Sequence, residues 1–254
     1  MPDALTLVAI HQHVKGRLAL SDIQLRLSEG DWLLVVGPNG AGKSLLMRLI
    51  LGLDQPSAGS VRVLGADLER LDGRAMRHLR RQIGVVLQGG SLLASATVLE
   101  NLLLPLRELP MSRNDMTRAA RLVMTLLQLD GLENHPPRAL SLGQRRQVEL
   151  ARALVHQPRL LIWDGLSDGL DLAAIRETLS TLGKLRENRK LTLIATDNRP
   201  DILADAAHRI AVLERGRLLF EGPSAGLATA SAVRLELHSA LWGHPGDSAQ
   251  GGPS

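Results

Sequence analysis

An α/β fold, with a parallel sheet covered by helices on both sides, is what the sequence predicts, and three observations predict it. Continuous apolar runs recur at DWLLVVG (31–37), IGVVLQ (83–88), RLLIW (159–163) and LTLIAT (191–196), the mark of strands buried on both faces. Helical patterns stand between these runs, so strand and helix alternate along the chain. Hydrophobic residues make up 44% of the 254 residues, enough to enclose a core and to exclude global disorder. Aromatics are only 2%, so that core is built from Leu, Ile, Val and Ala.

The opening third reads as short strands, LTLVAI (5–10) and the alternating IQLRL (23–27), with a turn at Ser21–Asp22. After the buried run 31–37, SLLMRLILGL (44–53) is apolar all round and reads as a deeply packed helix. PSAGSVRVLG (56–65) gives turn, strand, turn, and RAMRHLRRQ (74–82) an Arg-rich helix ahead of the strand 83–88. Residues from about 91 to 140 become helical and read as an inserted subdomain, with TRAARLVMTLLQL (117–129) amphipathic and HPPRAL (135–140) ending it. From 141 the alternation resumes as helix 144–156, strand 159–163, helix 172–186, strand 191–196, helix 200–207 and strand 209–214. Residues 4–242 are expected to form a single domain, followed by a mobile low-complexity tail, GHPGDSAQGGPS (243–254).

Several classes fall away on composition. The absence of Cys removes disulfides, thiolate metal sites and Cys nucleophiles, and suits a reducing compartment. The basic balance comes from arginine, yet the net charge is only +4 and no aromatics interleave with it, which argues against nucleic acid as partner. MPDALTLVAI lacks the basic region and long apolar stretch of a signal peptide, and Glu100, Asn101 and Arg107 interrupt the best candidate for a membrane span. A soluble, cytoplasmic protein is the expectation.

GPNGAGKS combines Gly37, Pro38, Asn39, Gly40, Ala41, Gly42, Lys43 and Ser44, with a buried strand before it and a helix after it. Its glycines let backbone N–H groups close around a phosphate, and the helix N-terminus adds a favourable dipole. Lys43 would reach the β- and γ-phosphates of a nucleotide, and Ser44 would hold Mg²⁺. Gln88 ends a strand, where its amide can meet Mg²⁺ or an attacking water. LSLGQ (140–144) opens a helix as a second candidate anion site, and RLLIWD delivers Asp164, suited to orienting a magnesium shell. Taken singly, Gln88 reads as a solvated strand end, LSLGQ as a helix cap and Asp164 as a turn cap.

In this order and spacing, Gly37–Ser44, Gln88, 140–144, Asp164 and Asp168–Asp171 resemble the Walker A, Q-loop, signature, Walker B and D-loop of ABC-type ATPases, over about residues 5–225. The resemblance implies a P-loop NTPase core with an N-terminal antiparallel β subdomain and the inserted helical subdomain. It implies ATP and Mg²⁺ as ligands, with Ser44, Gln88 and Asp164 as the magnesium set. It also implies a dimer with a second ATPase subunit, in which Ser141, Leu142, Gly143, Gln144 and Asp171 contact the partner's ATP. Integral membrane permease subunits would anchor the pair to the cytoplasmic face of the inner membrane, docking on the region 88–108. Within that region, QGGSLL with ATVLENLLLPLRE is most similar to ATPases of MCE-type phospholipid trafficking, although ATPases of lipoprotein release or cell-division signalling share LRRQIGVVLQ and T-V-x-x-N.

The departures from the family pattern concern chemistry. LSLGQRRQ places Leu142 where the family has glycine and Gln147 where it has arginine. WDGLSDGLD puts Gly165 at the position of the catalytic glutamate, and Asp197 follows LTLIAT where the switch histidine belongs. Losing a positioned general base costs roughly 10²–10⁴-fold in rate. The expectation is therefore ATP binding with impaired hydrolysis, or else a replacement base such as Asp168 or Asp197; a nucleotide-gated scaffold or signalling subunit is a third reading. The usual adenine-stacking aromatic is also missing, leaving His11, His13 or Val14 in AIHQHVKGR.

Overall fold

The computed structural model describes residues 2–198 and 203–226. Six strands form the main sheet in the order β10-β9-β3-β8-β7-β6. β3 (Trp32–Val36), β6 (Ile83–Val86), β7 (Leu160–Trp163), β8 (Thr192–Asp197) and β9 (Arg209–Glu214) run parallel, as their unbroken apolar sequences predict. Only the edge strand β10 (Arg217–Pro223) is antiparallel, returning from β9 through Arg215–Gly216. β10 is an addition to the expected strands, although the Arg-Gly step between two apolar runs is a hairpin signal.

A second sheet, in the order β2-β1-β4-β5, is the N-terminal antiparallel subdomain. β1 (Asp3–Val14) and β2 (Arg17–Ser28) are longer than expected, and the turn is not at Ser21–Asp22. It lies at Lys15–Gly16, both at positive φ (50° and 76°), the two-residue geometry that matches strand twist. Ser21 and Asp22 instead sit inside β2, between the pairs Gln12↔Leu20 and Ile10↔Ile23. Two residues of β2 there face one of β1, so the polar pair marks a bulge. β4 (Ala58–Val63) pairs with β1 and with the short β5 (Ala66–Asp67).

Alternation along β3 separates two cores. Leu33 and Val35 face α1 (Lys43–Ile50), the antiparallel sheet and Leu79, while Trp32, Leu34 and Val36 face the helices from 98 onward with Trp163. The Arg-rich segment is α2 (Gly73–Arg80). The insert is less helical than its apolar content suggests: α3 (Val98–Leu103) and α4 (Arg113–Leu126) are joined by turns. Thr97 and Glu100 close α3 with a reciprocal capping box. α5 (Leu142–Leu154) begins two residues before the expected 144, because Ser141 caps it, and α6 (Leu172–Arg189) runs past the expected 186. Of the expected helix 200–207, residues 200–202 lie outside the described residues, and within the described ones Ala204–Ala206 is only a 3-10 turn. The boundary at 242 and the tail 243–254 also lie outside.

Cross-strand register decides where the chemistry collects. Val36 pairs with Asp197, Val86 with Trp163 and Trp163 with Ala195. β6 and β7 end level with Ala195, two residues before β3 and β8 end, and the residues that follow these strands share one edge of the sheet, where open α/β sheets place their ligands.

Candidate nucleotide site

A cleft of about 650 Å³ opens at that edge. Asn39, Gly40, Gly42, Lys43 and Ser44 line it from the β3–α1 loop, Gln88 from beyond β6, Asp164 and Gly165 from beyond β7, and Asp197 from the end of β8. Val14 lines it as well, while His11 and His13 do not. Of the candidate adenine contacts, only Val14 borders the cleft.

The loop 37–42 is shaped by what surrounds it. A Cβ at Gly37 would lie 2.0 Å from the backbone oxygen of Leu213 on β9, so no other residue fits beside that strand. Gly42 caps α1 in a left-handed conformation, φ 106°. The Lys43 ammonium donates to Gly37 O (2.6 Å) and Pro38 O (3.1 Å), folding back over the loop it belongs to. Burial lowers the Lys43 pKa, and the carboxylates of Asp164, Asp197 and Asp168 act against that shift.

The acids of the cleft differ in their surroundings. Asp164 is buried and accepts from the Thr196 hydroxyl, which in turn accepts from Gly165 N–H (2.9 Å). Asp197 is also buried. Its Oδ2 accepts from Ser167 N–H (2.7 Å), and its Oδ1 from the Ser167 hydroxyl (3.0 Å) and Asn198 N–H (2.8 Å). The Asp197 carboxylate thus ties β8 to the loop after β7. Asp168 is the open one, with a side chain 42% exposed, and Gln88 Nε2 donates to its Oδ2 at 3.0 Å. Gly165 has φ 72°.

Ser44, Gln88 and Asp164 bring a hydroxyl, an amide and a carboxylate to one cleft, all oxygen donors of the kind Mg²⁺ selects. Among the described residues no group of three or more His, Cys, Asp or Glu side chains is arranged to hold a metal by itself. The donor set fits an ion shared with a ligand.

The remaining predicted residues lie apart from this cleft. Ser141 and Gln144 form the capping box of α5, and Asp171 caps α6 through Ala174 N–H (2.8 Å). Leu142 is 55% exposed and leans over Gly169, where an added Cβ would meet its Cγ at 2.7 Å. Leu142 and Gly169 border a second hollow with Gln88 and Asp168.

Arg146 is the residue that sequence reasoning missed. Buried on α5, it donates to Leu87 O (2.9 Å), Gly165 O (2.9 Å) and Asp168 O (3.0 Å), and pairs with buried Glu149 (3.0 Å). Glu149 also accepts from Ser91 N–H (2.8 Å), so one ion pair holds the loops after β6 and β7 against α5. A charged residue on the apolar face of α5 was the available signal.

Comparison with known proteins agrees with this geometry. Residues 20–166 match the family model described as ABC transporter. A putative ABC transporter ATP-binding protein, MK0182 of Methanopyrus kandleri, is 39% identical over 220 residues, 86% of this chain and 81% of that protein. This chain belongs to the ABC transporter ATP-binding family. The methionine import ATP-binding protein MetN of Latilactobacillus sakei is 36% identical over 204 residues, 80% of this chain. The chain spans only 59% of that relative's length. Among solved structures, the ATP-binding cassette MJ0796, described as a dimer in a post-hydrolysis state bound to ADP and Pi, superposes with a TM-score of 0.81. It is 28% identical, covering 87% of this chain and 98% of that one. cbiO1 of Clostridium perfringens, at 22% identity and a TM-score of 0.82 over 94% of this chain and 95% of its own, shares the fold.

Proposed function

We propose that this chain is the ATP-binding subunit of a bacterial ABC transporter, binding ATP and Mg²⁺ in the cleft and hydrolysing ATP slowly. The observation that carries the reading is the content of that one cleft. Lys43, Ser44 and Asp164 stand together, while Gly165 and Asp197 stand where the family pattern has glutamate and histidine. The Gly37–Ser44 loop cradles the phosphates, Lys43 neutralises them, and Ser44, Gln88 and Asp164 hold the magnesium, whose role is to draw charge from the phosphate oxygens.

Residues 4–242 act as one domain. Two ATPase subunits close on nucleotide, with Ser141, Leu142, Gly143, Gln144 and Asp171 turned to the partner, an arrangement favoured by the dimeric description of MJ0796. Closure drives integral membrane subunits at the cytoplasmic face. No helix among the described residues is long and apolar enough to cross a membrane, which suits a subunit that recruits its membrane partner. The phospholipid cargo suggested by 88–108 gains no support from the relatives, whose names include methionine import. That match is confined to 59% of the relative's length. Proteins of this fold carry different printed roles, so fold does not select cargo.

The test is ATP titration and turnover of the purified chain beside Lys43→Ala. Removing a charged hydrogen-bond donor is worth about 1.5–3 kcal/mol, so affinity should fall by about 10–100-fold. Brisk turnover by the wild-type chain that disappears in the variant would overturn slow hydrolysis. Equal affinity in both would overturn the site.

A further inference from the structure

We propose that Asp168 supplies the carboxylate that position 165 lacks, acting as the general base for water attack on the γ-phosphate of ATP bound in the cleft. The proposal rests on the nucleotide-binding reading above, and it assigns the slow turnover to Asp197 at the histidine position and not to a missing base. Three observations carry it. The first is a substitution in space: a Cβ built on Gly165 would lie 2.3 Å from Asp168 Oδ2 and 2.9 Å from its Cγ. The Asp168 carboxylate occupies the volume into which a side chain at 165 would grow. The missing acid at one position and the acid three residues later are therefore complementary.

The second observation is that this placement is fixed. Asp168 N–H donates to Gly165 O (3.2 Å), and Arg146 clamps both Asp168 O and Gly165 O from α5. Gln88 Nε2 holds Oδ2 at 3.0 Å, and the Arg146 guanidinium stands 3.8 Å from it. The third is access. Of the three acids lining the cleft, Asp164 is buried against Thr196 and Asp197 is engaged by Ser167 and Asn198. Asp168 lines the same cleft as Lys43 and Ser44 with its side chain 42% exposed, so water reaches it.

In the step itself, the carboxylate takes a proton from water as the water oxygen bonds to the γ-phosphorus. The bond from that phosphorus to the β–γ bridging oxygen breaks, ADP leaves with the electron pair, and Asp168 then releases its proton to solvent.

Asp168→Asn separates this role from simple positioning of Gln88. The Asn oxygen still accepts from Gln88, but it takes no proton. Turnover of the full chain by Asp168→Asn should fall by about 10²–10⁴-fold, with Asp168→Ala no better. ATP affinity, read separately by calorimetric titration, should stay within about threefold, because a lost base leaves phosphate binding by the loop intact. Asp168→Asn turnover close to wild type, with Asp168→Ala impaired, would show a positioning residue and overturn the proposal. So would a wild-type chain that binds ATP yet shows no Lys43-dependent turnover. Failure of the wild-type chain to bind ATP would instead sink the nucleotide-binding reading itself.

Discussion

Replacing Arg146 by Met removes the guanidinium and keeps an unbranched chain of similar reach, so the loss is mainly electrostatic. Arg146 is 4% exposed and Glu149 3% exposed. Breaking a buried pair by deleting one partner costs about 3–5 kcal/mol, because the remaining charge stays in a poorly solvated place. Glu149 retains Ser91 N–H as a donor, and three carbonyls, of Leu87, Gly165 and Asp168, each lose one. We expect Arg146→Met to destabilise the chain by about 3–5 kcal/mol, or roughly 6–20 °C in melting temperature for a domain of this size. Neutralising the stranded partner tests the cause. Arg146→Met/Glu149→Gln should be less destabilised than the sum of the single variants by about 1–3 kcal/mol. Denaturant unfolding of the four proteins measures both quantities. A loss below about 1 kcal/mol, or strict additivity, would refute the claim that this pair holds the loops together.

Two further outcomes follow from buried polar groups. His156 meets Ile83 O at 3.2 Å through Nε2, and burial lowers its pKa from 6.5. Below pH 6.5 the unfolded chain takes up a proton there that the folded chain resists, so stability is full above 6.5 and falls as the pH drops towards the folded value. His156→Gln keeps a donor for Ile83 and should flatten that slope; urea midpoints at neutral and acid pH in both proteins decide it, and parallel slopes would refute it. Asp197→Ala should cost about 1–3 kcal/mol for the Ser167 N–H left without its acceptor. Asp197→His should bear a similar cost and give no gain in turnover, and a stable, faster Asp197→His chain would contradict the bridging role.

Legibility in the sequence divided along physical lines. The buried parallel strands announce themselves because both faces need apolar residues, and the loop 37–44 because its glycines answer backbone demands that no other residue meets. Lys43, Ser44, Gln88 and Asp164 converge as expected because each follows a strand of one parallel sheet. Ser21–Asp22 misled because polar residues serve bulges as well as turns. Arg146 escaped because three of its partners are backbone carbonyls 19 to 59 residues away, so that the local pattern shows a charge on the apolar face of α5 but not what it holds. α5 starts earlier than read because a Ser141–Gln144 capping box outweighs the glycine at 143.

Gly165 and Asp197 each fit what they touch. Gly165 adopts φ 72°, a conformation that strains any L-residue with a Cβ, and its empty side is filled by Asp168. Asp197 finds three donors on Ser167 and Asn198, which a histidine could not satisfy together. A glutamate restored at 165 alone would therefore meet both the backbone strain and the Asp168 carboxylate, and its failure to raise turnover would say nothing about the need for a base. Substitution of Asp168 by Asn, which demands no new space, is the perturbation whose result bears on chemistry. The space beside Gly165 holds the Asp168 carboxylate, fixed by Gln88 and Arg146 and open to water, so a variant at 168 reads its chemistry directly.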